Sequence, residues 1–229
     1  LYAVPLKMFV PDKTNAAQVF KAGRDHGMQR TAAGTNAMAS LLMNTFTSML
    51  LFEGYYHLLP HVRQVDQLRE AGPVLSAASC TTNAIVPVLK IVHDDFGIVA
   101  GHMESCHSFT NDQNLIDNYH KKDRRGRAAT LNMVVTETGA AKAVAAALPE
   151  LAGRLTGNAV RVPTPNVSLA ILNLHLSRST DVEELNGCLR AASLEGDLQN
   201  QIDYVNSREV VSSDFVGNRY AGIVDAQAT

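Results

Sequence analysis

The chain has 229 residues, 46% of them hydrophobic and 18% charged, with a net charge of −2 at pH 7. That composition supports a sizeable buried core in one large or two small domains, and carries no global bias toward nucleic acid or an anionic membrane. Three cysteines, Cys80, Cys106 and Cys188, stand at irregular spacing without a CxxC. They make no disulfide framework, so a reducing compartment, the cytoplasm, is expected.

The chain starts on Leu1 and stops in an apolar stretch, which reads as a polypeptide cut at both ends, and no basic-then-apolar leader opens it. Residues 1–75 show no clean periodicity and no GxGxxG. Residues 31–52 carry no charge and are long enough to span a bilayer, but eight polar side chains among them, from Thr31 to Ser48, argue against a membrane span. His57 and His61 have a helical metal-ligand spacing; Pro60 between them and the lack of a third ligand argue against zinc.

From residue 76 onward the pattern sharpens. Residues 82–95 are predicted helical, because Ile85, Val88, Leu89 and Val92 form one apolar face; Pro87 removes a backbone donor and Gly97 is a reasonable stop. Residues 98–109 are strand-like but alternate poorly, and 110–127 read as a long polar loop. Residues 139–148 are Ala-rich and helical, ended by Pro149. Residues 167–176 form a strand with Ala170, Leu172, Leu174 and Leu176 on one face. Thr180 to Glu183 reads as a capping box opening a helix with Val182, Leu185, Leu189 and Ala192 inward. Two short strands, 210–215 and 221–226, flank Gly217-Asn218. The sum is an α+β chain.

Chemistry concentrates at Ser79-Cys80-Thr81-Thr82-Asn83, where a cysteine sits at a helix start. Free N–H groups and partial positive charge there favour the thiolate. A drop in pKa from about 8.5 to about 6 raises the thiolate fraction at pH 7 from about 3% to about 90%. A buried structural cysteine also fits the local sequence; polar neighbours on both sides favour the nucleophile. Lys121, Lys122, Arg124, Arg125 and Arg127 put five basic residues into seven positions. Without interleaved aromatics, and with a negative overall charge, they read as a solvated loop and not a nucleic-acid site.

SAASCTTNAIVPVLK strongly resembles the active-site segment of the glyceraldehyde-3-phosphate dehydrogenase family. HSFTNDQ, DRRGRAA, TETGAAKAV, LTGNAVRVPTPNVS and SSDFVGN follow as that family's signatures in family order. The resemblance covers residues 76–229 and implies an α+β catalytic domain with a mixed, mostly antiparallel sheet. Residues 1–75 are then a remnant of, or replacement for, the dinucleotide-binding Rossmann domain, and the family's last strand and C-terminal helix would lie beyond Thr229.

The resemblance further implies roles. Cys80 attacks the aldehyde carbon of glyceraldehyde 3-phosphate, His107 is its base, and hydride leaves to NAD or NADP. Inorganic phosphate then releases the acyl group as 1,3-bisphosphoglycerate. Arg161 and Thr110 match the seat of the substrate's phosphate. Ser79, Thr81, Thr138 and Gly139 match the seat of the attacking phosphate, with Arg125 beside them. Arg offers a planar fork to phosphate oxygens, and hydroxyls and a glycine N–H fill the rest. A homotetramer is implied as well; no residue is assigned to cofactor binding and no metal is expected. Two alternatives stand beside this reading: an erythrose-4-phosphate dehydrogenase, and a non-catalytic module without cofactor binding. Thr110 and the TGAAKAV run favour glyceraldehyde 3-phosphate over the first.

Overall fold

The computed structural model describes residues 2–10 and 79–229. Strand β1 (Tyr2–Val10) is followed among these residues by helix α1 (Cys80–Phe96), strand β2 (Ile98–Ser108), strand β3 (Val134–Glu137) and helix α2 (Ala140–Ala147). Strands β4 (Leu155–Val162) and β5 (Ser168–Leu176), helix α3 (Val182–Leu194), and strands β6 (Ile202–Val205) and β7 (Gly222–Asp225) complete the order. The strands form one seven-stranded sheet, β3-β4-β2-β5-β1-β7-β6. Its β2–β5, β1–β5, β1–β7 and β3–β4 pairs are antiparallel, and only β2–β4 and β6–β7 are parallel. The mixed, mostly antiparallel α+β architecture expected from the sequence is therefore the one found. The stretch 31–52, His57 and His61, for which a membrane span and zinc were weighed, lie outside the described residues.

The sheet buries one face under the three helices. Leu6, Met8 and Val10 of β1 join Ala170, Leu172, Leu174 and Leu176 of β5 beneath Ile85, Leu89, Val92 and Phe96 of α1. Helix α1 lies between α2 and α3. Gly222 lets α1 come down this close: a Cβ there would meet the Ala84 carbonyl oxygen at 3.2 Å and its Cα at 3.3 Å. Part of the opposite face is closed by a smaller cluster of Phe9, Val167, Phe215 and Ile223, in which the Phe9 and Phe215 ring centroids stand 4.7 Å apart.

Strand β1 was not singled out by the sequence reading, although it sits between β5 and β7 and pairs with β5 along its whole length. Pro5 is the reason it reads poorly, since proline is rare inside strands. Among the described residues β7 pairs with β1 only at Met8 and Phe9, so no described strand lies beside Pro5 on that side.

Three local expectations are corrected. Residues 210–215 hold no strand; Ser212–Phe215 is a 3-10 turn whose Phe215 plugs the smaller core. The cap of α3 is displaced by one residue: Asp181, not Thr180, is the N-cap and accepts from Glu184 N at 2.7 Å. Val182 consequently faces solvent, while Leu185 and Leu189 are buried as expected. The poor alternation of β2 has a physical source in a register shift between Ile98 and Ala100.

Candidate active site

Helix α1 begins on the cysteine. Ser79 is its N-cap, with extended backbone and a side chain that accepts from Thr82 N at 3.1 Å. Cys80 is thus the first helical residue, at the end of the helix that carries partial positive charge. Thr81 is buried next to it, its hydroxyl 3.9 Å from Cys80 Sγ.

Strand register delivers the partner. His107 on β2 stands directly opposite Arg161 on β4. His107 points to the helix side of the sheet, and its Nε2 lies 3.5 Å from Cys80 Sγ. On the other side of the ring, Nδ1 is 2.7 Å from the Ser108 carbonyl oxygen and 2.8 Å from Arg161 Nη1. Arg161 Nη1 also reaches the Ser108 carbonyl at 3.1 Å and Thr110 Oγ1 at 3.4 Å. Ser108 is braced in turn by buried Ser168, whose hydroxyl accepts from Ser108 N at 3.1 Å. Just before Ser168, Val167 adopts φ +65°, a costly conformation for a β-branched residue; burial in the smaller core and a bond from its N–H to Asn166 Oδ1 hold it there.

The predicted residues therefore fall into two groups. Cys80, His107, Arg161 and Thr110 form one connected cluster, with Ser79 and Thr81 flanking the thiol. Thr138 and Gly139 lie at the start of α2, where the Thr138 hydroxyl accepts from Ala140 N at 3.2 Å and a Cβ on Gly139 would meet open space. Since Val134 pairs with Arg161 and Glu137 with Asn158, Thr138 follows about four residues, roughly 13 Å of strand, beyond the His107–Arg161 row. Arg125 is buried and already engaged: it forms an ion pair with Asp112 and donates to Thr136 Oγ1 at 3.0 Å. Burial pushes its guanidinium below the usual arginine value.

The residues that the sequence reading left without a role are Asp112, Ser108 and Ser168. Asp112 stands inside the HSFTNDQ motif, and a carboxylate so close to a basic run was a usable signal. Ser108 acts through its carbonyl, which no side-chain pattern reports. Among the described residues no group of three or more His, Cys, Asp or Glu side chains could hold a metal, and no helix is long and apolar enough to cross a membrane.

Residues 79–229 match the family profile described as glyceraldehyde 3-phosphate dehydrogenase, C-terminal domain. Over 156 residues the chain is 68% identical to the glyceraldehyde-3-phosphate dehydrogenase-like protein of Pseudomonas aeruginosa (strain UCBPP-PA14), a stretch that is 68% of this chain and 34% of that protein. It is 49% identical to glyceraldehyde-3-phosphate dehydrogenase 2 of Trichormus variabilis (strain ATCC 29413 / PCC 7937) and to glyceraldehyde-3-phosphate dehydrogenase 1 of Bacillus subtilis (strain 168). Each of these matches covers 68% of this chain and 46% of the relative. The matched stretch thus spans about a third to a half of the length of these relatives. By profile, fold and motif order, the chain belongs to the glyceraldehyde-3-phosphate dehydrogenase family, through the family's C-terminal domain.

Proposed function

We propose that this chain supplies the thiol chemistry of a phosphorylating oxidation of glyceraldehyde 3-phosphate, which in the complete protein yields 1,3-bisphosphoglycerate. The observation that carries the reading is a helix-starting cysteine with a histidine nitrogen 3.5 Å from its sulfur. His107 takes the thiol proton, Cys80 adds to the aldehyde carbon, and the proton returns to the new oxygen to give the hemithioacetal. Arg161 and Thr110 seat the substrate's phosphate beside them. Ser79, Thr81, Thr138 and Gly139 seat the attacking phosphate, with Arg125 as structural support from its pair with Asp112.

Completing the oxidation needs a hydride acceptor of the NAD or NADP type. The described residues do not fit that group: the strand–turn–helix unit from β3 to α2 has Gly139 as its only turn glycine and a helix of 8 residues. A homo-oligomer in the cytoplasm belongs to the same reading. It is supported by apolar side chains left in solvent on the 109–135 segment: Leu115, Ile116, Tyr119, Leu131 and Met133.

The test is acylation of the full chain by p-nitrophenyl acetate, followed as release of p-nitrophenolate. One equivalent should appear in a burst, with the acetyl group on Cys80 by peptide mass. C80S should abolish the burst, and H107N should slow it on the order of a hundredfold. A burst that survives C80S defeats the proposal.

A further inference from the structure

Helix α3 carries a row of residues that the thiol chemistry does not use. Glu183, Asn186, Gly187 and Arg190 recur at i, i+3, i+4 and i+7, so they share one face of the helix. Leu185 and Leu189 point into the main core instead. The row forms one wall of a cavity of about 820 Å³, and Tyr204 of β6 and Ala226 after β7 stand in the other wall. Asn186 gives an amide N–H to the Ala226 carbonyl at 3.2 Å, which fixes the orientation of its carboxamide. Its Oδ1 is left buried without a partner, a costly state for an acceptor. Glu183 and Arg190 have no oppositely charged partner among the described residues. Burial pushes the Tyr204 hydroxyl up, with the charge of Arg190 acting against it, so the hydroxyl keeps its proton and can donate. Glycine weakens a helix interior, and no close contact asks for one at 187, where a Cβ would meet nothing within 4 Å. What the missing side chain leaves is room in the cavity.

We propose that this cavity binds a short linear peptide by its two free ends, the terminal ammonium at Glu183 and the terminal carboxylate at Arg190 and Tyr204. The spacing sets the length. Seven residues of helix from Glu183 to Arg190 rise about 10.5 Å. An extended peptide advances about 3.3–3.6 Å per residue, so about three residues reach from one charge to the other. Midway along the row, a backbone N–H of the peptide meets Asn186 Oδ1 after a small outward shift of that side chain, and the central residue lies over Gly187. The charge of the wall selects the class of ligand. Glu183 and Arg190 cancel, which suits a ligand of net charge zero with its own charges apart. A nucleoside monophosphate would set a dianion against a single cation and face Glu183 with like charge. None of these residues belongs to the thiol site, so the proposal stands or falls apart from the reading of Cys80.

The test is calorimetric titration of the full chain with trialanine, with its N-acetyl and C-amide forms, and with adenosine monophosphate. Trialanine should bind with a Kd on the order of 1 mM or tighter, and each blocked form about tenfold more weakly, because each loses a charge-assisted contact. R190Q should bind the free and the amidated peptide alike, and E183Q the free and the acetylated one. G187L puts a better helix former where the cavity is, and should abolish binding while the urea midpoint shows the chain folded. A folded G187L that still binds would overturn the proposal. So would blocked ends without effect, adenosine monophosphate binding more tightly than trialanine, or no heat from trialanine at about 10 mM. If G187L does not fold, the end-matched losses in R190Q and E183Q decide the matter, and their absence is equally fatal.

Discussion

The two ends of helix α1 hold two cysteines in opposite surroundings. At the N-terminal end Cys80 stands in the first turn, where the partial positive charge of the helix end favours negative charge, with His107 Nε2 3.5 Å away. At the C-terminal end the thiol of Cys188, from α3, donates to the carboxylate of Asp95, and Gly97 closes the helix. Burial, then the Asp95 hydrogen bond and charge, push the Cys188 thiol up to about 12. Two thiols touching one helix thus differ because a helix has a direction and because a carboxylate stands at one end only.

The largest expected effect tests that contrast directly. At pH 8 a thiol titrating near 12 is roughly one part in 10⁴ ionised. Cys80 should therefore alkylate with iodoacetamide at least a hundredfold faster than Cys188, read by peptide mass after brief exposure. Labelling of Cys188 should climb about tenfold per pH unit from 8 to 11. D95N, which removes the charge, should speed it on the order of tenfold at pH 8. Equal labelling of Cys80 and Cys188 would erase the distinction. The raised thiol also has a stability consequence of fixed sign. The folded chain binds this proton more tightly than the unfolded one, whose thiol keeps the ordinary value of 9.0. Its contribution is complete below pH 9 and is lost as the pH rises toward 12.

A second, smaller effect concerns how each end is closed. Gly97 has φ +69°, and a Cβ there would run into Ser177 Oγ. G97A should destabilise the chain by about 2 kcal/mol through backbone strain and displacement of Ser177, which otherwise donates to the Phe96 carbonyl. The urea midpoint measures it; an unchanged midpoint would mean that Ser177 moves aside freely. The smallest effect is at the other end. S79A removes the acceptor for Thr82 N and should cost about 1 kcal/mol, largely restored in S79D. An S79D chain no more stable than S79A would show that the cap matters less than the pairing of Ser79 with Thr82.

How far these features could be read in the sequence depends on the kind of signal each leaves. Helix α1 announces itself, because a seventeen-residue element with apolar residues recurring every three or four positions has few other readings. Strand β5 alternates cleanly for the same reason: one face packs under helices and the other does not. Strand β4 shows no clean alternation because Thr156, Asn158 and Arg161 are polar, the first two bonded to His102 on one face and Arg161 reaching His107 on the other. Strands β3 and β6, four residues each, are too short for any alternation to show. At the site, Cys80, His107 and Arg161 carried motif signals and the sheet register joins them. The engagement of Arg125 with Asp112 left only a carboxylate near a basic run as its signal, since the pairing itself depends on how a long loop folds back on β3.

Strand β1 has one more consequence, in the order of assembly. Val10 pairs with Ser168 and Phe9 with Ile223, so this strand leaves the ribosome long before either neighbour exists. Until β5 and β7 are made, β1 lacks the described strands that hold Leu6, Met8 and Val10 in the sheet beneath α1. Among the described strands, β1 can pair only after β5 and β7 have been made, so the sheet does not close in chain order. Such a topology has high contact order, which places its folding in the slow, millisecond-to-second range and lengthens the time during which an apolar strand is open to mispairing. Dilution and a holding chaperone should therefore raise the yield of folded chain far more than any change at the thiol.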